Sequence, residues 1–498
     1  MSTEVCERRN SAPQMAPGAS AAVGHVIENS IPLSIFPIKL DKFAIFVCGL
    51  PGVGKTGISR RLTRYLEFFH AVPVHYYSGA DYRRKMFGIW KNAQCFDSSE
   101  STAQLSASWE AMSKDLTEFM NCTPNGVSII DSGSMLSTHV NRARTVATLH
   151  RIGAKVLFIE VENVQTTEEV ETPYASPDYE GVPKEDADRD YRERVLKYKS
   201  RYESIDSSPS FGEDRLSYLK CNHARQNFVL HRVEGYLQLK VVHFIINLRT
   251  KPHEFFMSRH GQSEYNSLGR IGGDSALSAH GLAYAHALAG FVEESICKDE
   301  SGKPRPARLW TSTMRRTRET AQFIKQTKLM IPDELDPTLE HEWVQMRPRA
   351  WHHLDELFAG ACDGMTYEEI EEQFPEEFER RTTDKLAYRY PRGESYLDVI
   401  ARLEPIVIEM ERHNEPLLIV GHQGILRIIY AFYMGLTRAE APYVNIPLNV
   451  VVQLMPSAFR CDEKRSVLYN GIVGHDGQTE TKGAGGAAPI NPLNPPSH

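Results

Sequence analysis

No stretch of this 498-residue chain approaches the roughly 18 uninterrupted apolar residues of a membrane span, so no membrane partner is expected. Nor is there a large excess of charge. The 57 basic residues face 64 acidic ones, a net charge of -7, and that leaves no strong positive field to hold nucleic acid. The eight cysteines, Cys6, Cys48, Cys95, Cys122, Cys221, Cys297, Cys362 and Cys461, include no Cys-x-x-Cys pair of the kind used for zinc or redox work, so reduced, mostly buried thiols are expected. The first residues lack the apolar core of about seven residues that a secretory signal needs. Glu4, Glu7, Arg8 and Arg9 occupy that stretch, with Pro13 and Pro17 after them, and a cytoplasmic protein is expected. No internal repeat is visible.

The composition is that of a globular protein, with 41% hydrophobic and 24% charged residues. A length of 498 residues exceeds the roughly 250 to 300 at which a single core stops growing, so two or three domains are expected. Residues 1–35 and 472–498 are polar, small or rich in glycine and proline, and both are expected to be disordered tails. Between them, apolar runs alternate with amphipathic stretches. Phe43 to Cys48, Val127 to Ile130, Lys155 to Ile159 and Val241 to Ile246 read as strands, as do Glu254 to Met257, Leu309 to Thr311, Leu417 to Val420 and Val450 to Leu454. Thr313 to Lys325 reads as a helix. This is the pattern of α/β domains with parallel sheets covered by helices. Two such domains are expected, over 36–250 and 251–471, with a joint near Thr250-Lys251-Pro252.

The first apolar run leads into Gly49-Leu50-Pro51-Gly52-Val53-Gly54-Lys55-Thr56 and then a helical pattern from Gly57 to Phe69. That is the spacing and context of a Walker A phosphate loop. Gly49, Gly52 and Gly54 let the backbone fold into a nest of inward N–H groups, Lys55 reaches terminal phosphates, and the Thr56 hydroxyl suits magnesium. A metal-side carboxylate is wanted at the end of a neighbouring strand, where Asp131 stands. Arg83 and Arg84 offer guanidinium forks for an acceptor phosphate.

In the second half, the run Glu254 to Met257 delivers Arg259-His260-Gly261 to the strand end, where open α/β sheets place their sites. Arg316 follows another strand and Gly421-His422 a third. Two histidines and two arginines at one sheet edge suit phosphoryl transfer through a phosphohistidine, with His260 as nucleophile and Arg259, Arg316 and His422 taking up phosphoryl charge. A carboxylic acid is needed to protonate the leaving oxygen. Glu356 and its neighbour Asp355 are the two candidates. No metal or other cofactor is implied for this half.

The pairing of a Walker A domain with an Arg-His-Gly domain resembles the bifunctional 6-phosphofructo-2-kinase/fructose-2,6-bisphosphatase family. The specific stretches are Leu62-Thr63-Arg64-Tyr65-Leu66, Ser176-Pro177-Asp178-Tyr179, Gly269 to Ser275, Met365 to Ile370 and Tyr388 to Tyr396. The resemblance covers about residues 40 to 470. It implies a P-loop kinase-type domain followed by a histidine-phosphatase, phosphoglycerate-mutase-like α/β domain. The implied ligands are ATP, Mg2+, fructose 6-phosphate and fructose 2,6-bisphosphate, and a homodimer is left open. For the phosphatase it implies His260 as nucleophile, Arg259, Asn266 and Arg316 around the reacting phosphate, Glu356 as acid, and His422 completing the pocket. Tyr367, Arg381, Lys385, Tyr396, Gln423 and Arg427 match positions that hold the fructose 6-phosphate moiety, and Gly272 matches a backbone contact. Gln262 stands where glutamate is usual, Gly421 replaces a cysteine, and a longer loop precedes Leu354.

In the kinase half Lys55, Thr56, Arg83, Arg194 and Tyr202 match the family. The family's Asp-Ala-Thr-Asn-Thr-Thr segment reads here Asp131-Ser132-Gly133-Ser134-Met135-Leu136, and the family's lysine before Ser-Pro-Asp-Tyr aligns with Pro173. The leading expectation is therefore a fructose-2,6-bisphosphatase fused to an ATP-binding domain of reduced or lost kinase activity. A fully bifunctional enzyme, a nucleotide-sensing pseudokinase that regulates the phosphatase, and a general sugar-phosphate phosphatase or mutase are the alternatives.

Overall fold

The computed structural model describes residues 42–89, 99–133, 135–162, 177–206, 213–223, 225–249, 253–333, 338–457 and 460–470. Both expected tails, the expected joint at Thr250-Lys251-Pro252, and Pro173 lie outside them. The described residues of Met1–Lys55 and Val72–Lys240 form one compact unit, and those of Thr56–Ala71 and Val241–His498 a second.

The first half of the chain runs β1 (Phe43–Cys48), α1 (Lys55–His70), β2 (Val74–Ser78), α2 (Gly79–Phe87), α3 (Ser99–Cys122), β3 (Val127–Asp131), α4 (His139–Arg151), β4 (Lys155–Val161), α5 (Lys184–Lys199), β5 (Tyr218–Asn222), β6 (Asn227–His231) and α6 (Tyr236–Asn247). The sheet order is β2-β3-β1-β4-β5-β6. Every neighbouring pair is parallel except β5 with β6. All six residues of β1 are buried, as expected for an inner parallel strand with both faces covered. On one face Ala44, Phe46 and Cys48 pack with Met112, Leu116 and Met120 of α3 and Leu149 of α4. The register sets Val47 opposite Asp131, so the phosphate loop and Asp131 leave adjacent strands at the same sheet edge.

The expected strand at Val241 to Ile246 is instead part of helix α6. Leu237, Val241, Phe244, Ile245 and Leu248 are buried while Leu239 and Ile246 are exposed, which is a stripe at helical spacing that a six-residue window hides. Burial of that stripe overrides the β-branched composition. Helix α1 packs within the second unit. Tyr65 stacks on Phe244 at 4.3 Å between ring centroids, its hydroxyl donates to Glu404 at 2.6 Å, and Arg61 pairs with the buried Glu411. Cys48, Cys221, Cys297, Cys362 and Cys461 are free thiols. Cys122 departs from the expected reduced state and is disulfide-bonded.

The second half contains β7 (Phe255–Arg259), α7 (Glu264–Ser267), α8 (Ala279–Phe291), β8 (Arg308–Thr311), α9 (Arg315–Ala321), β9 (Lys328–Pro332), β10 (Glu340–Val344), β11 (Pro348–Ala350), α10 (Tyr367–Gln373), α11 (Pro375–Thr383), α12 (Tyr396–Arg412), β12 (Leu417–Gly421), α13 (Gln423–Met434), β13 (Val450–Pro456) and β14 (Cys461–Val467). Its main sheet is ordered β11-β8-β12-β7-β13-β14. The first four strands run parallel, while β13 is antiparallel to both β7 and β14. The sheet is thus mixed rather than all-parallel, because strand direction depends on connections that an apolar run does not reveal. Helix α9 is shorter than the expected Thr313 to Lys325. The longer loop before Leu354 contains the β9–β10 hairpin. Registers Gly421 with Arg259 and Val420 with Thr311 bring the ends of β7, β12 and β8 side by side.

One buried ion pair governs local stability in the first unit. Arg142, fully buried, donates from Nε to Glu213 at 2.6 Å and from Nη1 to the carbonyls of Leu136 and Glu203 at 3.0 and 2.8 Å. Although burial pushes the Glu213 carboxyl up, hydrogen bonds from Arg142 and the Asp206 N–H hold it below its ordinary value. Arg142→Ala strands Glu213 without this partner and is predicted to cost about 3 to 5 kcal/mol in denaturant unfolding. A loss under about 1 kcal/mol would contradict this account.

Candidate active sites

In the phosphate loop, Gly49, Gly52 and Gly54 have φ of 134°, 79° and 88°, values glycine adopts without strain. At Gly49 a Cβ would also lie 2.5 Å from the Val161 carbonyl oxygen. The Lys55 ammonium donates to the Leu50 carbonyl at 2.5 Å, so it curls over the loop. Asp131 is buried at the end of β3. A nest of this shape, with Lys55 and the Asp131 carboxylate at the same sheet edge, has the donor and acceptor types that a magnesium nucleotide requires.

The structure gathers Arg83, Arg84 and Arg194 around one carboxylate. Asp178 Oδ2 lies 2.6 Å from Arg83 Nη2, 3.3 Å from Arg84 Nη1 and 3.9 Å from Arg194 Nη1. Arg194 Nε also meets Asp190 at 2.7 Å. Three guanidinium groups share Asp178, while Arg84 also pairs with Asp81 and Arg194 with Asp190, so the cluster holds its forks in place with its charges balanced. Tyr202 is held elsewhere. Its hydroxyl donates at 2.6 Å to Glu160, fully buried at the end of β4, and burial pushes the phenol well above its ordinary value. The clustering role of Asp178 is not legible from spacing, since its partners are distant in sequence.

The second site starts at the end of β7. The His260 N–H donates to the Gly421 carbonyl at 3.0 Å, and the imidazole is buried. Its Nδ1 lies 2.8 Å from its neighbour Gly261's carbonyl oxygen, which can only accept, so Nδ1 carries the proton. Nε2 then keeps its lone pair and accepts from Arg316 Nε at 3.1 Å. Burial, with Arg316 and Arg259 alongside, holds His260 well below the ordinary imidazole value. The result is a neutral ring with Nε2 as its nucleophilic atom.

His422 lies beside it, with ring centroids 5.2 Å apart, and its Nε2 is 2.7 Å from Ser312 Oγ. Burial first, then Arg316 and His260, hold it below its ordinary value as well. Arg316 Nη1 donates to the Gly273 carbonyl at 2.6 Å, and the Gly273 N–H donates to both oxygens of Asp363 at 3.1 Å. Gly272, at φ 67°, has no room for a side chain, because a Cβ would fall 1.8 Å from Asp363 Oδ1. Asp363 is a supporting residue that motif reading missed.

The two candidate acids separate clearly. Asp355 is occupied, accepting at 2.7 Å from both the N–H and the hydroxyl of Thr313 and lying 2.6 Å from His352 Nδ1. Glu356 instead lines a cavity of about 370 Å³, and Arg402 fixes its backbone by donating to the carbonyls of His353, Asp355 and Glu356. Gly424 leaves space for it, since a Cβ there would come within 2.7 Å of Glu356 Oε1.

Arg259, His260, Asn266, Gly272, Arg316, Glu356, Tyr367, Arg381, Lys385, Tyr396, Gln423 and Arg427 all line this cavity. Six cations, Arg259, Arg270, Arg316, Arg381, Lys385 and Arg427, face two carboxylates, Glu356 and Glu368, a balance that suits a ligand with more than one phosphate. Arg381 donates to the Tyr367 hydroxyl at 2.9 Å, and Arg427 to the Tyr396 hydroxyl at 3.2 Å and the Val444 carbonyl at 2.7 Å. Gln262 accepts from Ser278 at 2.8 Å and lies outside the lining, so the exchange of glutamate for glutamine there leaves the cavity's own charge unaltered.

Residues 34–252 match the 6-phosphofructo-2-kinase family, and residues 255–465 match the histidine phosphatase superfamily, branch 1. The chain is 35% identical over 478 residues to a 6-phosphofructo-2-kinase/fructose-2,6-bisphosphatase of Gallus gallus, covering 91% of this chain and 93% of that one. It is 35% identical over 431 residues to the protein of the same name in Caenorhabditis elegans, covering 84% and 87%. It is 33% identical over 433 residues to a fructose-2,6-bisphosphatase of Saccharomyces cerevisiae, covering 84% and 87%. No helix among the described residues is long and apolar enough to cross a membrane.

Neutrality of the paired imidazoles predicts a direction for pH effects. The unfolded chain protonates each histidine near about pH 6.5, whereas the folded forms resist protonation. Below that pH the unfolded state therefore binds more protons, and stability falls as pH drops, by up to about 1.4 kcal/mol per pH unit for each ring. With nitrogen-15-labelled histidine, His260 should remain neutral at about pH 6, and Arg316→Met should move its titration upward yet leave it below the ordinary imidazole value, because burial and Arg259 persist. A wild-type His260 that titrates at the ordinary imidazole value would contradict the site description.

Proposed function

Because the chain belongs to the 6-phosphofructo-2-kinase/fructose-2,6-bisphosphatase family, we propose that its C-terminal half removes the 2-phosphate of fructose 2,6-bisphosphate through a phosphohistidine at His260. The observation that carries this reading is the imidazole itself, with Nδ1 tied to the Gly261 carbonyl and Nε2 in a cationic pocket. The Nε2 lone pair attacks phosphorus while the bond to the sugar's C2 oxygen breaks, and Glu356 gives that oxygen its proton. Arg316 turns from Nε2 to an equatorial phosphoryl oxygen, joined by Arg259, Asn266 and His422. Fructose 6-phosphate leaves. Glu356, now a carboxylate, takes a proton from a water that attacks the phosphohistidine, so phosphate departs and the neutral imidazole returns. Tyr367, Arg381, Lys385, Tyr396, Gln423 and Arg427 hold the sugar and its 6-phosphate, with the Gly272 backbone beside them. This cationic wall favours a bisphosphorylated ketose over the substrates of a general phosphatase or mutase.

The N-terminal half is a kinase domain, and we read it as a nucleotide binder of low kinase activity. Gly49, Gly52, Gly54, Lys55 and Thr56 would hold ATP, with Mg2+ at Thr56 and Asp131. When bound, such a nucleotide supplies a transferable phosphoryl group. Arg83 and Arg194 would meet an acceptor phosphate. The segment after Asp131 has lost the family's threonine and asparagine, and Pro173 stands where its lysine is expected. Loss of one transition-state donor or cation typically costs on the order of 100-fold or more in rate. A fully bifunctional enzyme remains the second reading, favoured by the intact phosphate loop, and a nucleotide sensor the third. The cytoplasmic setting and a homodimer belong to the same proposal, and sedimentation of the pure chain tests the dimer.

His260→Ala is predicted to abolish hydrolysis of fructose 2,6-bisphosphate, and undiminished turnover would sink the phosphatase reading. With ATP, magnesium and fructose 6-phosphate, the wild-type chain should make fructose 2,6-bisphosphate at least about 100-fold more slowly than a relative that keeps the threonine, asparagine and lysine. Comparable rates would instead establish the bifunctional reading.

A further inference from the structure

The nucleophile and the arginine that faces it are carried by different elements, His260 by the turn after β7 and Arg316 by α9. A closed ring of hydrogen bonds joins them. His260 Nδ1 donates to the Gly261 carbonyl at 2.8 Å, and the Gly261 N–H donates to Thr320 Oγ1 at 2.9 Å. The Thr320 hydroxyl donates to the Arg316 carbonyl at 2.7 Å, and Arg316 Nε donates to His260 Nε2 at 3.1 Å. Thr320 is fully buried and does not line the cavity.

Three features make Thr320 more than a filler. Its hydroxyl is the side-chain acceptor for a buried N–H that no strand partner satisfies, and an orphaned donor there would cost roughly 1 to 3 kcal/mol. Gly261 cannot move to find another partner, because it packs backbone to backbone on α8, where a Cβ would fall 2.5 Å from the Gly281 carbonyl oxygen. The same hydroxyl donates back to the carbonyl four residues earlier, a bond available to serine and threonine in helices but not to valine. We infer that Thr320 is a positioning residue for the phosphatase reaction, holding the His260–Gly261 turn in register with Arg316 so that Nε2, not Nδ1, faces the phosphoryl group. It touches neither substrate nor phosphate. Without the hydroxyl, the Gly261 N–H loses its acceptor and the turn loses its tie to α9, so the small shift its packing allows moves the Gly261 carbonyl against Nδ1 and lets the imidazole sample the other tautomer.

This rests on His260 being the nucleophile, so His260→Ala is run alongside. Retained activity in that variant would overturn the nucleophile reading itself, whereas the Thr320 outcomes below are read only if it is inactive. Thr320→Val keeps shape and removes the hydroxyl, and Thr320→Ser keeps the hydroxyl and removes a methyl. For a geometric misplacement of this kind, kcat of the valine variant on fructose 2,6-bisphosphate should fall on the order of 10- to 100-fold, with KM within about twofold of wild type. The serine variant should keep most of its kcat. The proposal is overturned if the folded valine variant keeps wild-type kcat, if serine and valine fall alike, or if only KM changes. Should the valine variant not fold, nitrogen-15 spectra of wild type and Thr320→Ser decide. A neutral His260 protonated at Nδ1 in both supports the ring, and a proton on Nε2 overturns it.

Discussion

The hydrogen bond from Arg316 Nε to His260 Nε2 is the constraint from which the phosphatase half follows. A guanidinium can only donate, so its approach to Nε2 requires a lone pair there and forbids an imidazolium. Burial disfavours the charged ring for the same reason that two nearby arginines do. The surroundings serve this arrangement. Parallel pairing of β7, β12 and β8 places His260, His422 and Ser312 at neighbouring strand ends. Asp363 holds the Gly273 turn against which Arg316 rests, and close backbone contact between Gly261 and Gly281 leaves the nucleophile's turn little freedom. Six cations against two carboxylates make the pocket rich in positive potential, and that is what a bisphosphorylated sugar neutralises.

The kinase half is built on the same geometric rule with a different emphasis. There too a parallel sheet delivers a glycine-rich turn and an acidic residue to one edge, and three arginines converge on a shared anion, Asp178. Its phosphate-binding parts depend on backbone conformation, which glycine spacing preserves. Phosphoryl transfer further requires side chains at fixed places around the γ-phosphate, and the proposal of low kinase activity rests on the segment after Asp131 and on Pro173. Binding and chemistry can therefore separate in this domain, while in the phosphatase they depend on the same side chains.

Much of this was legible in the chain. The loop from Gly49 to Thr56 and the Arg259-His260-Gly261 turn are local patterns anchored to apolar strands, and every residue expected around the sugar phosphate faces the cavity. What spacing could not supply was partnership between distant residues. Glu356 and Asp355 are equivalent by spacing; the family resemblance points to Glu356, and in the structure Thr313 and His352 occupy Asp355. The bond from the Tyr202 hydroxyl to the buried Glu160 likewise has no signature in the sequence. The helix over Val241 to Ile246 was mistaken for a strand because its stripe shows only over a longer window, and the antiparallel course of β13 depends on a connection with no local signature. Thr320 carries no motif at all, and its importance comes from what its hydroxyl joins.

The central claim is that one nitrogen of one buried imidazole accepts the phosphoryl group. It is tested most directly by quenching the enzyme in alkali during turnover of fructose 2,6-bisphosphate labelled at the 2-phosphate and mapping the label by peptide mass spectrometry. The account predicts label on His260, at Nε2. Label on His422 or another residue, or turnover with no phosphoenzyme under conditions that trap phosphohistidine, would contradict it.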